Sequence, residues 1–156
     1  MSVFDHALVL TGPTGSGKSA IALSLAEQIG AEILSMDSMT LYRGMDIGTA
    51  KPTIEERQRV PHHLIDELDP WESASVAWWL ERAQHACESI LSRGKRPLFV
   101  GGTPFYLMAL LYGLFDAPPS DETVRQKIEA EITATGAETV HARLNAIDPT
   151  AAKRIH

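Results

Sequence analysis

Residues Gly12 to Ser19 read G-P-T-G-S-G-K-S and follow the apolar run Ala7-Leu8-Val9-Leu10. This is the phosphate-binding pattern G-x-x-x-x-G-K-[ST] in the setting it requires, after a strand and before a helix. The glycines let the backbone curl until successive N–H groups point at one oxyanion. The helix that follows adds the positive end of its dipole. Lys18 supplies a mobile positive charge for the terminal phosphate, and the Ser19 hydroxyl can sit on a Mg²⁺ that bridges phosphate oxygens. Gly12, Pro13, Thr14, Gly15, Ser16, Gly17, Lys18 and Ser19 are therefore expected to hold a di- or triphosphate group. The pattern is silent on what that phosphate is attached to.

The rest of the chain repeats the strand-then-helix rhythm. Ala7–Leu10, Glu32–Ser35 and Pro97–Val100 read as buried strands, with His63–Ile65 as a short further one. Lys18–Ile29 reads as a helix with Ile21, Leu25 and Ile29 on its apolar face, stopped by Gly30. Thr53-Ile54-Glu55-Glu56 is a capping box opening a short helix that cannot pass Pro61. Ser75–Arg93 carries the longest apolar stripe, through Val76, Trp79, Leu80, Ala83, Cys87, Ile90 and Leu91. Gly101-Gly102-Thr103-Pro104 turns into a helix reaching Tyr112. Strands alternating with helices predict an α/β fold: a parallel sheet of the phosphate-loop NTPase type with helices on both faces. Ligands then bind at the carboxyl ends of the strands, where Gly12–Ser19, Asp37 and Gly101–Thr103 are expected to meet. After Pro118-Pro119 the pattern is purely helical. Ser120 is expected to cap a helix bearing Val124, Ile128 and Ile132, and Val140, Leu144 and Ile147 mark another. Asp148-Pro149 opens a last helix that the chain end cuts short. We expect residues 1–117 to form the phosphate-loop core and 118–156 to begin an incomplete, truncated second region.

Several classes of function are disfavoured. The charge balance, 14 Lys+Arg against 20 Asp+Glu, gives a net −6 and argues against strong unspecific binding of nucleic acid, though not against a local basic patch. No apolar run approaches the length of a membrane span, and Met1–His6 does not read as a secretory leader, so no membrane association is expected. The lone Cys87 cannot form an internal disulfide, which fits a cytoplasmic protein. His62, His63 and His85 have no partners at metal-ligand spacing. Trp71, Trp78 and Trp79 read as packing residues rather than a base-stacking platform.

Asp37 stands just past the second strand, opposite the phosphate loop. A carboxylate there can take a proton from a nucleophile, or it can merely cap a turn. The strand Pro97–Val100 ends in Gly101-Gly102 rather than in the Mg²⁺-holding aspartate of nucleotide hydrolases, and the two glycines would let backbone approach a ligand. Arg43 and Lys51, which flank the loop after Asp37, read as solvated surface cations.

The string from Asp37 to Pro52, D-S-M-T-L-Y-R-G-M-D-I-G-T-A-K-P, resembles the signature of tRNA dimethylallyltransferases, also called tRNA isopentenyltransferases. The phosphate loop, H-H-L-I-D at His62–Asp66, V-G-G-T-x-x-Y at Val100–Tyr106 and I-D-P-x-A-A-x-R-I-H at Ile147–His156 follow in that family's order. The resemblance implies transfer of a dimethylallyl group from dimethylallyl diphosphate to N6 of the adenosine just 3′ of the anticodon, in tRNAs reading codons that begin with U, with Mg²⁺ as cofactor. It implies the anticodon stem-loop as partner and a monomeric enzyme. By motif match, Asp37, Lys18 and Thr103 are catalytic. Asp37, Ser38, Met39, Thr40, Thr103 and Arg125 contact the tRNA, and Ser19 holds the metal. Family members are roughly twice this length, so an active chain and an inactive diphosphate-binding fragment are both compatible with the sequence. The competing readings are a phosphate-loop small-molecule kinase using ATP and an adenylate isopentenyltransferase acting on free nucleotide.

Overall fold

A computed structural model describes residues 2–114 and 121–155. The chain divides into two compact units, Met1–Leu114 and Phe115–His156. Ser120, the expected cap, lies outside the described residues. Asp121 carries the cap instead, its carboxylate accepting from the Thr123 and Val124 N–H groups.

The first unit is a four-stranded parallel sheet. Its strands are β1 (Leu8–Thr11), β2 (Ala31–Ser35), β3 (His62–His63) and β4 (Arg96–Gly101), in the spatial order β1-β4-β2-β3. Four helices accompany it: α1 (Lys18–Ile29), α2 (Ile54–Arg59), α3 (Val76–Ser92) and α4 (Pro104–Tyr112). The two-residue period of a strand sends neighbouring side chains to opposite faces. In β2 and β4, Ile33 lies beside Leu98 and Leu34 beside Phe99. Ile33 and Leu98 pack under Ala22, Leu23 and Ala26 of α1. Leu34 and Phe99 pack on the other face under Trp79, Ala83, Cys87 and Ile90 of α3 and Tyr106 and Leu110 of α4. Every residue of β2 is buried, as expected of a central strand covered on both sides. Glu32 is tolerated there because Arg93 (2.7 Å) and His63 (2.7 Å) bind its carboxylate. Burial alone would raise its pKa, but these partners outweigh burial and hold it below the ordinary carboxyl value.

Some expectations are corrected. The buried residues of α1 are Ala22, Leu23 and Ala26, with Leu25 and Ile29 packed partly buried against the same cluster; of the expected row only Ile21 is exposed. Alanines let the helix axis approach the sheet closely, which a row of isoleucines would prevent. β3 covers His62–His63 rather than His63–Ile65, because Leu64 (φ 61°) and Asp66 (φ 58°) are left-handed and end the extended run.

The second unit holds α5 (Glu122–Thr135), α6 (Ala137–Ile147) and α7 (Pro149–Ala152). Val124, Ile128 and Ile132 share one face of α5, and each is more than a third exposed. No helix among the described residues is long and apolar enough to cross a membrane.

A cleft at the carboxyl edge of the sheet

Parallel pairing aligns the strand ends: Thr11 lies beside Gly101, and Ser35 beside Val100. The loops leaving β1, β2 and β4 therefore open onto one edge. They line a cleft of about 950 Å³ that includes Gly12–Ser19, Asp37–Thr40 and Gly101–Thr103. Gly48, Thr49, Ala50 and Pro52, from the far end of the loop after β2, complete the wall.

The phosphate loop is curled by Gly15 and Gly17, both at φ 80°, a conformation that L side chains resist. Lys18 folds back to donate to the Pro13 carbonyl at 2.7 Å, so its ammonium already stands at the loop's mouth. Ser19 lies in the first turn of α1 and is exposed.

Asp37 follows Met36, which crosses to β4 through Met36 N–H to Val100 O (2.8 Å). One carboxylate oxygen, Oδ1, accepts from the Met39 N–H at 2.8 Å, forming an Asx turn. Among the described residues no hydrogen bond occupies Oδ2. The turn-capping and proton-accepting readings of Asp37 are thus compatible, since each uses a different oxygen. Thr103 accepts from the Ser38 N–H at 3.1 Å, which leaves its hydroxyl proton available, and Thr103 N–H donates to Met36 O at 3.2 Å. These bonds tie the β4–α4 turn to the segment bearing Asp37.

Thr40 is buried, and its hydroxyl is shared with Ser35 Oγ (2.6 Å) and the Asp37 carbonyl (3.1 Å). It shapes the turn from beneath. Met39 is partly exposed at the cleft. Arg125 lies in the second unit, on α5, paired with Glu129 at 3.3 Å.

Gly101 lines the cleft, and packing requires a glycine there as well. A Cβ on Gly101 would lie 2.2 Å from the Met36 carbonyl oxygen, so the close approach is between the end of β4 and the backbone just past β2. Gly102 abuts the Gly12 carbonyl, at 3.2 Å from a hypothetical Cβ.

Lys51 is not a solvated surface cation, whereas Arg43, its side chain 52% exposed, does lie at the surface. The Lys51 side chain is only 2% exposed, and Nζ donates to Tyr42 O (2.8 Å), Asp46 Oδ1 (2.7 Å) and Asp66 Oδ1 (2.8 Å). Arg43 binds Asp69 and the Glu67 carbonyl. Sequence spacing could not reveal the pairs with Asp66 and Asp69, because both carboxylates lie on the separate segment 66–69.

The remaining candidates differ in their surroundings: Trp71, expected to pack, is 82% exposed, whereas His62, Trp79 and Cys87 are held within the fold. His62 is bonded through Nδ1 to Val60 O (2.7 Å), and burial pushes its pKa down. Among the described residues no group of three His, Cys, Asp or Glu side chains could hold a metal. Trp79 stacks on Tyr106 with centroids 4.3 Å apart and donates to Ser35 O (3.3 Å). Cys87 is buried, which pushes its thiol up to about 12 and makes it inert as a nucleophile.

Comparison with known proteins matches these features to a family. The sequence profile described as IPP transferase matches residues 40–156, and that described as isopentenyl transferase matches residues 6–68. The chain is 49% identical to a tRNA dimethylallyltransferase of Rhodopirellula baltica, over 98% of its own length and 48% of the relative's. It is 52% identical to that of Thermus thermophilus, over 94% and 49%. Among solved structures, the tRNA isopentenylpyrophosphate transferase of Bacillus halodurans superposes with a TM-score of 0.69 at 44% identity, covering 97% of this chain and 50% of that one. A eukaryotic dimethylallyltransferase acting on tRNA gives 0.80 at 30% identity, covering 96% and 37%. The chain spans about half the length of the curated relatives it matches.

Proposed function

The chain belongs to the IPP transferase family, and on that premise we propose that its cleft carries the transfer of a dimethylallyl group from dimethylallyl diphosphate to N6 of the adenosine 3′ of a tRNA anticodon. One observation supports this above the others: a phosphate-binding loop faces a carboxylate with one unoccupied oxygen across a single cleft.

The chemistry follows from the parts. The allylic C–O bond breaks and its electron pair leaves on the diphosphate. In this reading the backbone N–H groups of Thr14–Ser19 and the Lys18 ammonium take up that growing negative charge. Allylic carbon bears positive charge well, so stabilising the leaving group is the larger part of the barrier. The N6 lone pair forms the new C–N bond, and the N6 proton passes to Asp37. Ser38 and Met39 shape the acceptor side from the turn that Asp37 caps, and the Thr103 hydroxyl is placed to donate into it. A stacked base cannot reach such a site, so the nucleotide must be splayed out of the anticodon loop.

Mg²⁺ fits this donor set. It favours one or two protein oxygens plus phosphate oxygens and water over an all-protein cage, and Ser19 at the first turn of α1 offers the one hydroxyl needed. When bound, the ion would neutralise diphosphate charge. Arg125 is proposed as a tRNA contact on its motif match. A cytoplasmic setting suits the single buried thiol, and a monomer is proposed on the family resemblance alone.

The test is transfer of labelled dimethylallyl to an anticodon stem-loop by the 156-residue chain and by a version extended to the relatives' length. Prenylated adenosine in both supports the proposal for this chain. Product from the extended version alone assigns the chain diphosphate binding without turnover. ATP-dependent phosphorylation, or prenylation of free AMP in place of RNA, would replace the proposal with the kinase or the adenylate transferase.

A further inference from the structure

The loop between β2 and α2 leaves the cleft at Thr40 and returns to it at Gly48–Pro52, with no helix or strand of its own. Its outgoing limb is held by backbone. Asp66 N–H donates to Thr40 O (3.1 Å), Leu68 N–H to Leu41 O (3.0 Å) and Arg43 N–H to Leu68 O (2.8 Å). The returning limb is held chiefly by charge. Lys51 Nζ joins Tyr42 O on the outgoing limb to Asp66, while Arg57 bonds both Asp66 Oδ2 (2.7 Å) and the Pro52 carbonyl (3.1 Å).

Two observations set this network apart from ordinary surface pairing. The Lys51 side chain is 2% exposed, so its charge is desolvated and tolerable only while its partners stay in place. Burial by itself would lower the Lys51 pKa, but the hydrogen bonds to Asp46 and Asp66 outweigh it and hold the ammonium charged. Ala50 (φ 52°) and Asp66 (φ 58°), both at the network, occupy the left-handed region. Such positions persist only where surrounding contacts over-determine them.

We propose that Lys51 is a positioning residue for the acceptor side of the cleft, locking the returning limb Gly48–Pro52 against the limb that carries Asp37. The assignment rests on the transfer reading above. Lys51 does not touch the phosphate loop, so its loss should separate acceptor from donor. Asp66 keeps Arg57 when Lys51 is removed, which favours a loosened loop over an unfolded domain.

The experiment compares wild type with Lys51→Met in the full chain. Hydrogen exchange of Gly44–Pro52 should rise about tenfold, with Gly12–Ser19 unchanged. Affinity for dimethylallyl diphosphate should stay within about twofold, whereas affinity for an anticodon stem-loop should fall at least about fivefold. If Lys51→Met does not fold, Asp46→Asn serves, because Asp46 is 67% exposed and its loss removes one Lys51 partner; the same split is expected, only smaller. Unchanged exchange, or equal loss of donor and RNA affinity, would overturn the assignment. So would a loosened loop with intact RNA affinity. RNA that fails to bind wild type would instead remove the transfer reading, and this assignment with it.

Discussion

Gly101→Ala tests how tightly the cleft is built into the sheet. Gly101 is buried, and its backbone is extended enough for any residue, so only space decides the outcome. The added methyl would lie 2.2 Å from Met36 O, 2.4 Å from Met36 C and 2.9 Å from Met36 Cα. All three are backbone atoms of the residue before Asp37, and no side chain can rotate aside. Overpacking of this kind costs about 1–3 kcal/mol, and a backbone clash belongs at the upper end. For a unit of this size about 3 kcal/mol lowers the melting temperature by roughly 10–20 °C. Strand separation would also stretch Met36 N–H to Val100 O and Thr103 N–H to Met36 O, displacing Asp37 from the phosphate loop. Calorimetry gives the first quantity, and transfer measured well below the melting temperature gives the second. Gly102→Ala is the internal comparison: its methyl meets one atom at 3.2 Å, so about 1 kcal/mol or less is expected. A Gly101→Ala protein that melted with wild type would refute the claim that the end of β4 abuts the backbone of Met36, just past β2.

Three further outcomes follow from the site and the core. Lys18→Ala should weaken dimethylallyl diphosphate binding about 10- to 100-fold, the worth of a charge-assisted hydrogen bond of roughly 1.5–3 kcal/mol, as read by titration calorimetry. Asp37→Asn keeps an oxygen for the Met39 N–H but cannot accept a proton, so single-turnover transfer should fall about 10²- to 10⁴-fold with donor affinity unchanged. Glu32 has its folded pKa depressed by Arg93 and His63, against the opposing effect of burial, so its stabilisation is present above the unfolded value near 4.5 and is lost as pH falls through the lower folded value. Urea midpoints followed from pH 6 to 3 should therefore converge for wild type and Glu32→Gln; parallel curves would show that the carboxylate is not what Arg93 and His63 stabilise.

What could be read from the sequence depended on how local the governing physics was. The curl of Gly12–Ser19 ahead of α1 was legible because glycine spacing acts within a few positions, and the helix limits at Gly30 and Ser75 because capping acts over a single turn. The burial of α1 was not legible. Its apolar residues occur on more than one side, and only the sheet beneath selects Ala22, Leu23 and Ala26 over Ile21. Lys51 was misread for a related reason. Its partner Asp66 lies fifteen residues away, in a segment brought alongside by a left-handed turn that no spacing rule announces. For Gly101 the sequence left ligand approach and packing both open, since a strand-end glycine suits either; the packing need became visible only with the Met36 backbone alongside.

The two sides of the cleft are therefore built differently, and this bears on how the chemistry can be divided. On the proposed reading, the donor side is one contiguous loop that closes on itself through Lys18 and Pro13. The acceptor side is assembled from separate stretches: Asp37–Thr40, Gly48–Pro52 and Thr103, joined through Met36, Asp66 and Lys51. A self-contained anion cradle can bind diphosphate whatever accepts the transferred group. A composite wall can be altered at any joint without disturbing that cradle. Substitutions on the acceptor side should thus change what is prenylated, or how fast, before they change what is bound. That separation is the pattern expected of a site whose donor binding is generic and whose specificity resides in the acceptor.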